Sequence, residues 1–159
     1  MRRQRRSGDK YRDALRQVFA YIKKPLPISQ EESEHVFSVR EGFFRNLLVQ
    51  TGLANRPVKW IHVAGTKGKG SVCEYLRCAL VANGYKVGTF TSPHLHTARE
   101  RIKVNSSLIS QDDFTRFGET ACEMLKSEEW AVFFDLLLLM AILYFNEQEV
   151  DYIILETGI

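Results

Sequence analysis

The pattern of apolar positions along the chain predicts strands and helices in alternation. Short apolar runs at 58–64, 86–91 and 150–155 predict strands, and the last is typical of a strand buried on both faces of a parallel sheet. Apolar residues at helical spacing predict helices over 9–23 and 31–50, a third helix that follows the glycine-rich stretch and reaches about residue 83, and further helices over 111–125 and 131–147. This order predicts the α/β class, with a doubly wound and mainly parallel sheet and right-handed crossovers.

The segments between the second strand and the fourth helix are polar. We predict a loop over 92–98, an extended piece over 101–104 and a turn at Asn105 and Ser106. In the third helix, the apolar stripe predicted to face inward consists of Val72, Leu76, Ala79 and Leu80.

The stretch HVAGTKGKGS, from His62 to Ser71, lies where the first strand gives way to a helix. Glycines let backbone N–H groups approach phosphate oxygens, and the helix N-terminus adds partial positive charge. A lysine can neutralise the outer phosphates, and a hydroxyl can meet the accompanying metal ion. The stretch therefore predicts a polyphosphate-binding loop, with Lys69 as the candidate catalytic cation. Its predicted members are Gly65, Thr66, Lys67, Gly68, Lys69, Gly70 and Ser71.

The loop differs from the ordinary pattern G-x-x-x-x-G-K-[ST]. That pattern would require glycine at Val63 and a hydroxyl at Gly70, whereas here the hydroxyl follows at Ser71. The sequence G-T-x-G-K-G-S resembles the variant phosphate loop of the Mur ligase superfamily, and its Gly-Ser ending is similar to that of folylpolyglutamate synthases. The resemblance implies a Mur-ligase-like central ATPase domain.

Two polar groups follow predicted strands at the same edge of the sheet. Glu156 ends the last apolar run, and Ser92 follows the second strand. In open α/β sheets the ligand lies beyond the carboxyl ends of the strands, beside the phosphate loop. A carboxylate and a hydroxyl there can hold Mg²⁺, so we predict a metal site of Ser92 and Glu156.

The segment SPHLHTARERIKVNSSLISQDDF, residues 92–114, resembles the stretch after the second strand in folylpolyglutamate synthases, and the final E-T-G-I resembles a further motif of that family. The resemblance implies a folate-binding loop that orders when folate binds. Its implied residues are Pro93, His94, Arg99, Glu100 and Arg101. Taken alone, R-E-R-I is also typical of a solvated charge cluster. Two histidines, His94 and His96, without further ligands do not predict zinc.

Composition narrows the class of protein. The net charge of +3 comes from Arg2, Arg3, Arg5 and Arg6, because without them 18 basic residues face 19 acidic ones. We therefore predict no nucleic-acid interface, and we interpret residues 1–8 as a basic tail, with an organelle presequence as the alternative. Three cysteines without a C-x-x-C pair indicate a reducing compartment. The longest apolar run, ten residues at 136–145, is too short for a membrane span.

The predicted organisation has three parts. After the tail, residues 9–57 form a helical segment, and residues 58–159 form the front part of the ATP-binding domain. Because the chain ends directly after a core strand, we interpret it as the front part of a longer protein, incomplete at its C-terminus.

The resemblance implies an ATP-dependent ligase that adds glutamate to the γ-carboxylate of tetrahydrofolate polyglutamate tails through an acyl phosphate, in one-carbon metabolism. It implies ATP and Mg²⁺, with a monovalent cation as a further candidate, and reduced folate and L-glutamate as substrates. It also implies a cytoplasmic monomer, with the mitochondrion as the alternative location. Other readings stay open: an inactive N-terminal fragment, another Mur-type amide ligase, or a dihydrofolate synthase.

Overall fold

The computed structural model describes residues 7–23 and 29–158. The arginines of the predicted basic tail and Ile159 lie outside the described residues. The helices are α1 (Ser7–Ala20), α2 (Gln30–Gln50), α3 (Lys69–Ala82), α4 (Gln111–Met124) and α5 (Phe133–Glu147). The strands are β1 (Lys59–Val63), β2 (Val87–Phe90), β3 (Ile102–Val104), β4 (Ser107–Leu108) and β5 (Tyr152–Glu156). None of these described helices is both long and apolar enough to cross a bilayer.

The strands form one sheet in the order β1-β5-β2-β3-β4. β5 pairs in parallel with both β1 and β2, which confirms the predicted α/β class and its parallel strands. The predicted extended piece and turn form a hairpin, β3–β4, which joins β2 in antiparallel orientation. The sheet is therefore mixed, with its parallel half carrying the loops predicted to bind ligands.

Helix α3 covers one face of the sheet, and its buried stripe differs from the predicted one. Val72 is 46% exposed and Ala79 is also exposed, so their predicted inward position is wrong. Cys73 is fully buried instead, and Leu76 and Leu80 pack beside it against the sheet. The prediction counted aliphatic residues only. The buried positions of α3 are Lys69, Cys73 and Arg77, which recur at four-residue spacing on one face of the helix.

Gly88 of β2 lies against the ring of Phe145 on the other face of the sheet. A Cβ atom placed on Gly88 would lie 2.7 Å from Cγ of Phe145, closer than any ordinary carbon–carbon contact. Phe145 is fully buried in α5, so its ring has little room to move. Glycine at this position lets α5 pack closely on the strand.

We expect Gly88→Ala to lower the free energy of unfolding by about 1–3 kcal/mol, the usual cost of overpacking a core. Chemical denaturation followed by circular dichroism measures this change. Gly42→Ala in α2 is the matched control, because nothing lies within 4 Å of its added Cβ and alanine favours a helix over glycine. Equal effects of the two substitutions would contradict the close contact.

The described residues form two compact units by their contacts: residues 7–23 and 29–55 with 111–140, and residues 56–110 with 141–158. The first unit is helical, and the rings of Phe19 and Phe133 stack there with centroids 5.4 Å apart. A buried ion pair joins Arg40 of α2 to Asp135 of α5 at 3.1 Å. Burial raises the pKa of Asp135, while the N–H of Val132 and Arg40 oppose that rise. The second unit contains the whole sheet.

Candidate functional site

The glycine-rich loop runs from the end of β1 to the start of α3. Gly65 has a φ of 143° and Gly68 a φ of 76°, both in the region that favours glycine. Gly68 is the N-cap residue of α3, without a side chain that could fold back onto the helix. The first turn of α3 therefore keeps its N–H groups for a ligand.

Lys69 is the first residue of α3, and its side chain lies inside the curve of the loop. Its Nζ donates a hydrogen bond to the carbonyl oxygen of Gly65 at 2.9 Å, and the residue is only 8% exposed. The other predicted members of the phosphate loop are exposed: Gly65, Thr66, Lys67, Gly68, Gly70 and Ser71. The loop thus combines one buried cation, Lys69, with backbone and hydroxyl groups that are accessible to a ligand.

Glu156 ends β5 and lies beside the start of α3. Its carboxylate oxygens are both 3.9 Å from the point that a Cβ on Gly70 would occupy. Its Oε2 accepts a hydrogen bond from the backbone N–H of Ser92 at 2.8 Å, and the residue is 5% exposed. The structure therefore brings the phosphate loop, Ser92 and Glu156 together at the carboxyl edge of the sheet.

These groups open onto a cleft of about 470 Å³. Its lining residues are Gly70, Ser71, Glu74, Tyr75, Thr91, Ser92, Pro93, Lys103 and Glu156. The sequence did not indicate Glu74, Tyr75, Thr91 or Lys103. Ser71 and Tyr75 are four residues apart on α3 and therefore lie on the same face of the helix, so this spacing could have predicted that Tyr75 lines the cleft. Lys103 lies between two apolar residues of β3, and this alternation could have predicted that its side chain lies on the other face of the sheet from theirs.

The oxygen groups of the cleft fit a hard cation. The carboxylate of Glu156 and the hydroxyls of Ser71, Thr91 and Ser92 are the kinds of ligand that Mg²⁺ takes together with water and phosphate oxygens. Burial, and then the charge of Glu156, raise the pKa of Cys73 to about 11. That thiol stays protonated at neutral pH, so it supplies no thiolate to a softer metal.

The predicted folate loop is held by Glu100. The carboxylate of Glu100 accepts hydrogen bonds from the backbone N–H groups of Leu95, His96 and Thr97 at 2.8, 3.0 and 2.8 Å. With Thr97 it forms a capping box in front of the short 3₁₀ turn Ala98–Arg101. The glutamate of the R-E-R-I motif thus stabilises the backbone of its own loop.

The two arginines that flank Glu100 tie the loop to its neighbours. Nε of Arg99 donates to the carbonyl oxygen of Ile109 at 2.6 Å, and Nε of Arg101 donates to Nδ1 of His94 at 2.9 Å. Burial, and then the charge of Arg101, lower the pKa of His94. Pro93, which follows a cis peptide bond, is exposed at the cleft. Hydrogen bonds from Glu100, Arg99 and Arg101 thus hold the loop together and attach it to Ile109.

Three backbone hydrogen bonds lower the pKa of Glu100 to about 2, those of Leu95 and Thr97 being the strongest causes. Since an unfolded glutamate titrates near 4.3, the loop's stabilisation is complete above about pH 4.3 and is lost as the pH falls toward 2.

We expect Glu100→Gln, which offers one acceptor oxygen, to speed amide exchange at 95–97 by about tenfold or more at pH 7. Hydrogen exchange measured by NMR tests this. Glu149→Gln, on an exposed residue, is the control, and unchanged exchange at 95–97 would contradict the role of Glu100.

Comparison with known proteins reveals relatives of one kind. No family profile matches the chain. The dihydrofolate synthase/folylpolyglutamate synthase of Bacillus subtilis is 38% identical over 131 residues, which are 77% of this chain and 30% of that protein. The human mitochondrial folylpolyglutamate synthase is 40% identical over 105 residues, 62% of this chain and 18% of that protein. The chain spans less than a third of the length of these curated relatives.

Solved structures agree with these relatives. The folylpolyglutamate synthase of Thermotoga maritima has a TM-score of 0.73 and 34% identity, covering 97% of this chain and 34% of its own. A bifunctional folylpolyglutamate synthase/dihydrofolate synthase with Mn, AMPPNP and L-glutamate bound has a TM-score of 0.65 and 28% identity, covering 89% and 32%. The chain is therefore similar over most of its length to the N-terminal part of folylpolyglutamate synthases, as its motifs predicted.

Proposed function

We propose that this chain supplies the phosphate and magnesium end of an ATP-dependent ligase that adds glutamate to the γ-carboxylate of tetrahydrofolate polyglutamate tails. One observation carries the proposal: the buried ammonium of Lys69 and the buried carboxylate of Glu156 both lie at the carboxyl edge of the same sheet, next to the start of α3. The choice of folate and glutamate as substrates rests on the similarity to folylpolyglutamate synthases.

The chemical problem in this reaction is charge repulsion. A carboxylate must attack the γ-phosphate of ATP, which itself carries negative charge. ADP leaves as the acyl phosphate forms, and the amine of glutamate then attacks the acyl carbon and displaces phosphate, losing a proton as the amide forms. Lys69 and the N–H groups of residues 65–70 would hold the phosphates and stabilise charge in the transition state. Glu156, Ser92 and Ser71 would hold Mg²⁺, which supplies further neutralisation of the phosphate charge.

The remaining predicted residues take roles around this centre. Pro93, His94, Arg99, Glu100 and Arg101 would form the folate-binding wall, on a loop in which Glu100 accepts three backbone hydrogen bonds. Residues 58–159 would be the front part of the ATP-binding domain, and residues 9–57 a helical segment before it. ATP, a divalent ion and glutamate are supported by the relative with AMPPNP, Mn and L-glutamate bound. We also propose a cytoplasmic or mitochondrial monomer, the second location being that of the human relative.

The test is ligation by the protein at its natural length, with ATP, Mg²⁺, tetrahydrofolate and labelled L-glutamate. Label in folate together with one ADP per glutamate is the expected result. A second arm replaces folate with dihydropteroate, because the Bacillus relative is named for both activities. A third uses a cell-wall precursor as acceptor for the Mur-type alternative. ADP formation without ligation to any of these acceptors would overturn the proposal. A complete lack of ADP formation would also overturn it, and that is the result expected of an inactive fragment.

A further inference from the structure

We propose that Lys103 binds the terminal carboxylate of the acceptor substrate and holds it in the cleft, facing the phosphate to be transferred. This inference rests on the proposed function, which requires an anionic acceptor beside a triphosphate. The position of Lys103 on β3, its lack of another partner and the separation of β3 from β1 support the inference in turn.

Strand alternation places Lys103 on the face of the sheet that α3 covers. Its neighbours on β3, Ile102 and Val104, are buried on the opposite face, at 0% and 8% exposure. Lys103 pairs with Thr89 across the strands, and Thr89 pairs in turn with Ile154, which packs under α3. The cleft beside α3 is lined by Lys103 together with Glu156, so both charges open onto the same space.

The ammonium of Lys103 is not engaged by the protein. Within residues 7–23 and 29–158 it makes no hydrogen bond and no ion pair within 4 Å. Glu74, an acid that lines the same cleft, is held by two hydrogen bonds from Arg77. Those bonds are the main cause of the lowered pKa of Glu74, and Lys103 contributes only a weaker, distant effect. A half-buried cation without a partner, facing a cleft, is suited to an anionic ligand.

The order of strands places Lys103 and the strand that leads into the phosphate loop on opposite sides of Glu156, although Gly70 and Ser71 line the same cleft as Lys103. The loop follows β1, and Lys103 is on β3, three strand intervals away, or about 14 Å at the usual spacing. Glu156 on β5 lies between them. Lys69 already provides a cation for the phosphates of ATP at the end of β1. A second cation, on β3, is therefore suited to the acceptor carboxylate that approaches those phosphates.

The experiment is a thermodynamic cycle on equilibrium binding, measured by calorimetry on the protein at its natural length with Mg²⁺ and a non-hydrolysable ATP analogue. One change is Lys103→Met, and the other replaces the carboxylates of the folate's terminal glutamate by carboxamides. We expect Lys103→Met to weaken folate binding by about ten- to a hundredfold, the range of a hydrogen bond to a charged group. The amidated folate should bind both proteins equally.

Two further variants make the result specific. Lys103→Arg keeps the charge and should retain most of the affinity, whereas Lys59→Met removes a lysine from β1 at the opposite end of the sheet and should change nothing. Binding of the ATP analogue alone should change less than twofold in Lys103→Met. Weaker nucleotide binding with unchanged folate binding would assign Lys103 to the phosphates and overturn the inference. Equal binding of folate by both proteins would also overturn it, and failure of the unmodified protein to bind folate would overturn the proposed function instead.

Discussion

Lys69→Met is expected to lower turnover by about a hundredfold or more, the usual effect of losing one preorganised electrostatic group. The side chain is buried and its Nζ is fixed on the carbonyl of Gly65, so its charge needs no rearrangement as the phosphate moves. Methionine has a similar volume and cannot donate a hydrogen bond. The substitution therefore removes the charge and leaves the packing of the loop nearly intact.

Steady-state kinetics with ATP, together with calorimetry of a non-hydrolysable analogue, separates the two contributions of Lys69. We expect turnover to fall more than nucleotide affinity, since charge develops most strongly in the transition state. Lys86→Met, at the amino end of β2, serves as the control. Near-normal turnover of Lys69→Met would mean that the phosphates bind elsewhere.

Glu156→Gln is expected to raise the Mg²⁺ concentration for half-maximal activity by about ten- to a hundredfold and to slow the reaction at saturating Mg²⁺. The amide oxygen of glutamine can still accept the hydrogen bond from Ser92, so the fold of the edge is retained while the negative charge is lost. A hard cation prefers the carboxylate over the amide.

Two measurements test this expectation. A magnesium titration of activity gives the requirement, and electron paramagnetic resonance of Mn²⁺ with bound nucleotide reports the ion directly. Glu74→Gln removes another carboxylate of the same cleft, one that Arg77 holds, and should leave the magnesium requirement unchanged. If both variants shift the titration equally, the general charge of the cleft matters rather than the ligand Glu156.

The parallel half of the sheet could be predicted because its signals are local. Each of β1, β2 and β5 is a short apolar run, and two of them are followed by polar or glycine-rich turns. The hairpin β3–β4 could be predicted only as an extended piece and a turn. Its place in the sheet depends on pairs such as Gly88 with Val104, and nothing in either sequence segment specifies that partner.

The candidate site shows the same limit in its details. The meeting of Ser92 and Glu156 followed from the rule that parallel strands share a carboxyl edge. The donor, however, is the backbone N–H of Ser92, a group that every residue other than proline carries and that the sequence cannot single out. Lys103 was missed because its strand was not predicted to join the sheet, and without the sheet its face could not be assigned.

The bond between Lys69 and the carbonyl of Gly65 has a consequence for the thermodynamics of nucleotide binding. An ammonium in water must give up its hydration shell before it contacts a phosphate, and that loss opposes binding. Here most of the shell is already absent, since the group is buried and one protein oxygen replaces a water. When a phosphate arrives, it can accept from one of the ammonium's two other N–H groups while the bond to Gly65 stays in place. The cost of dehydration therefore belongs to folding of the loop, and binding can proceed with little further ordering of the chain.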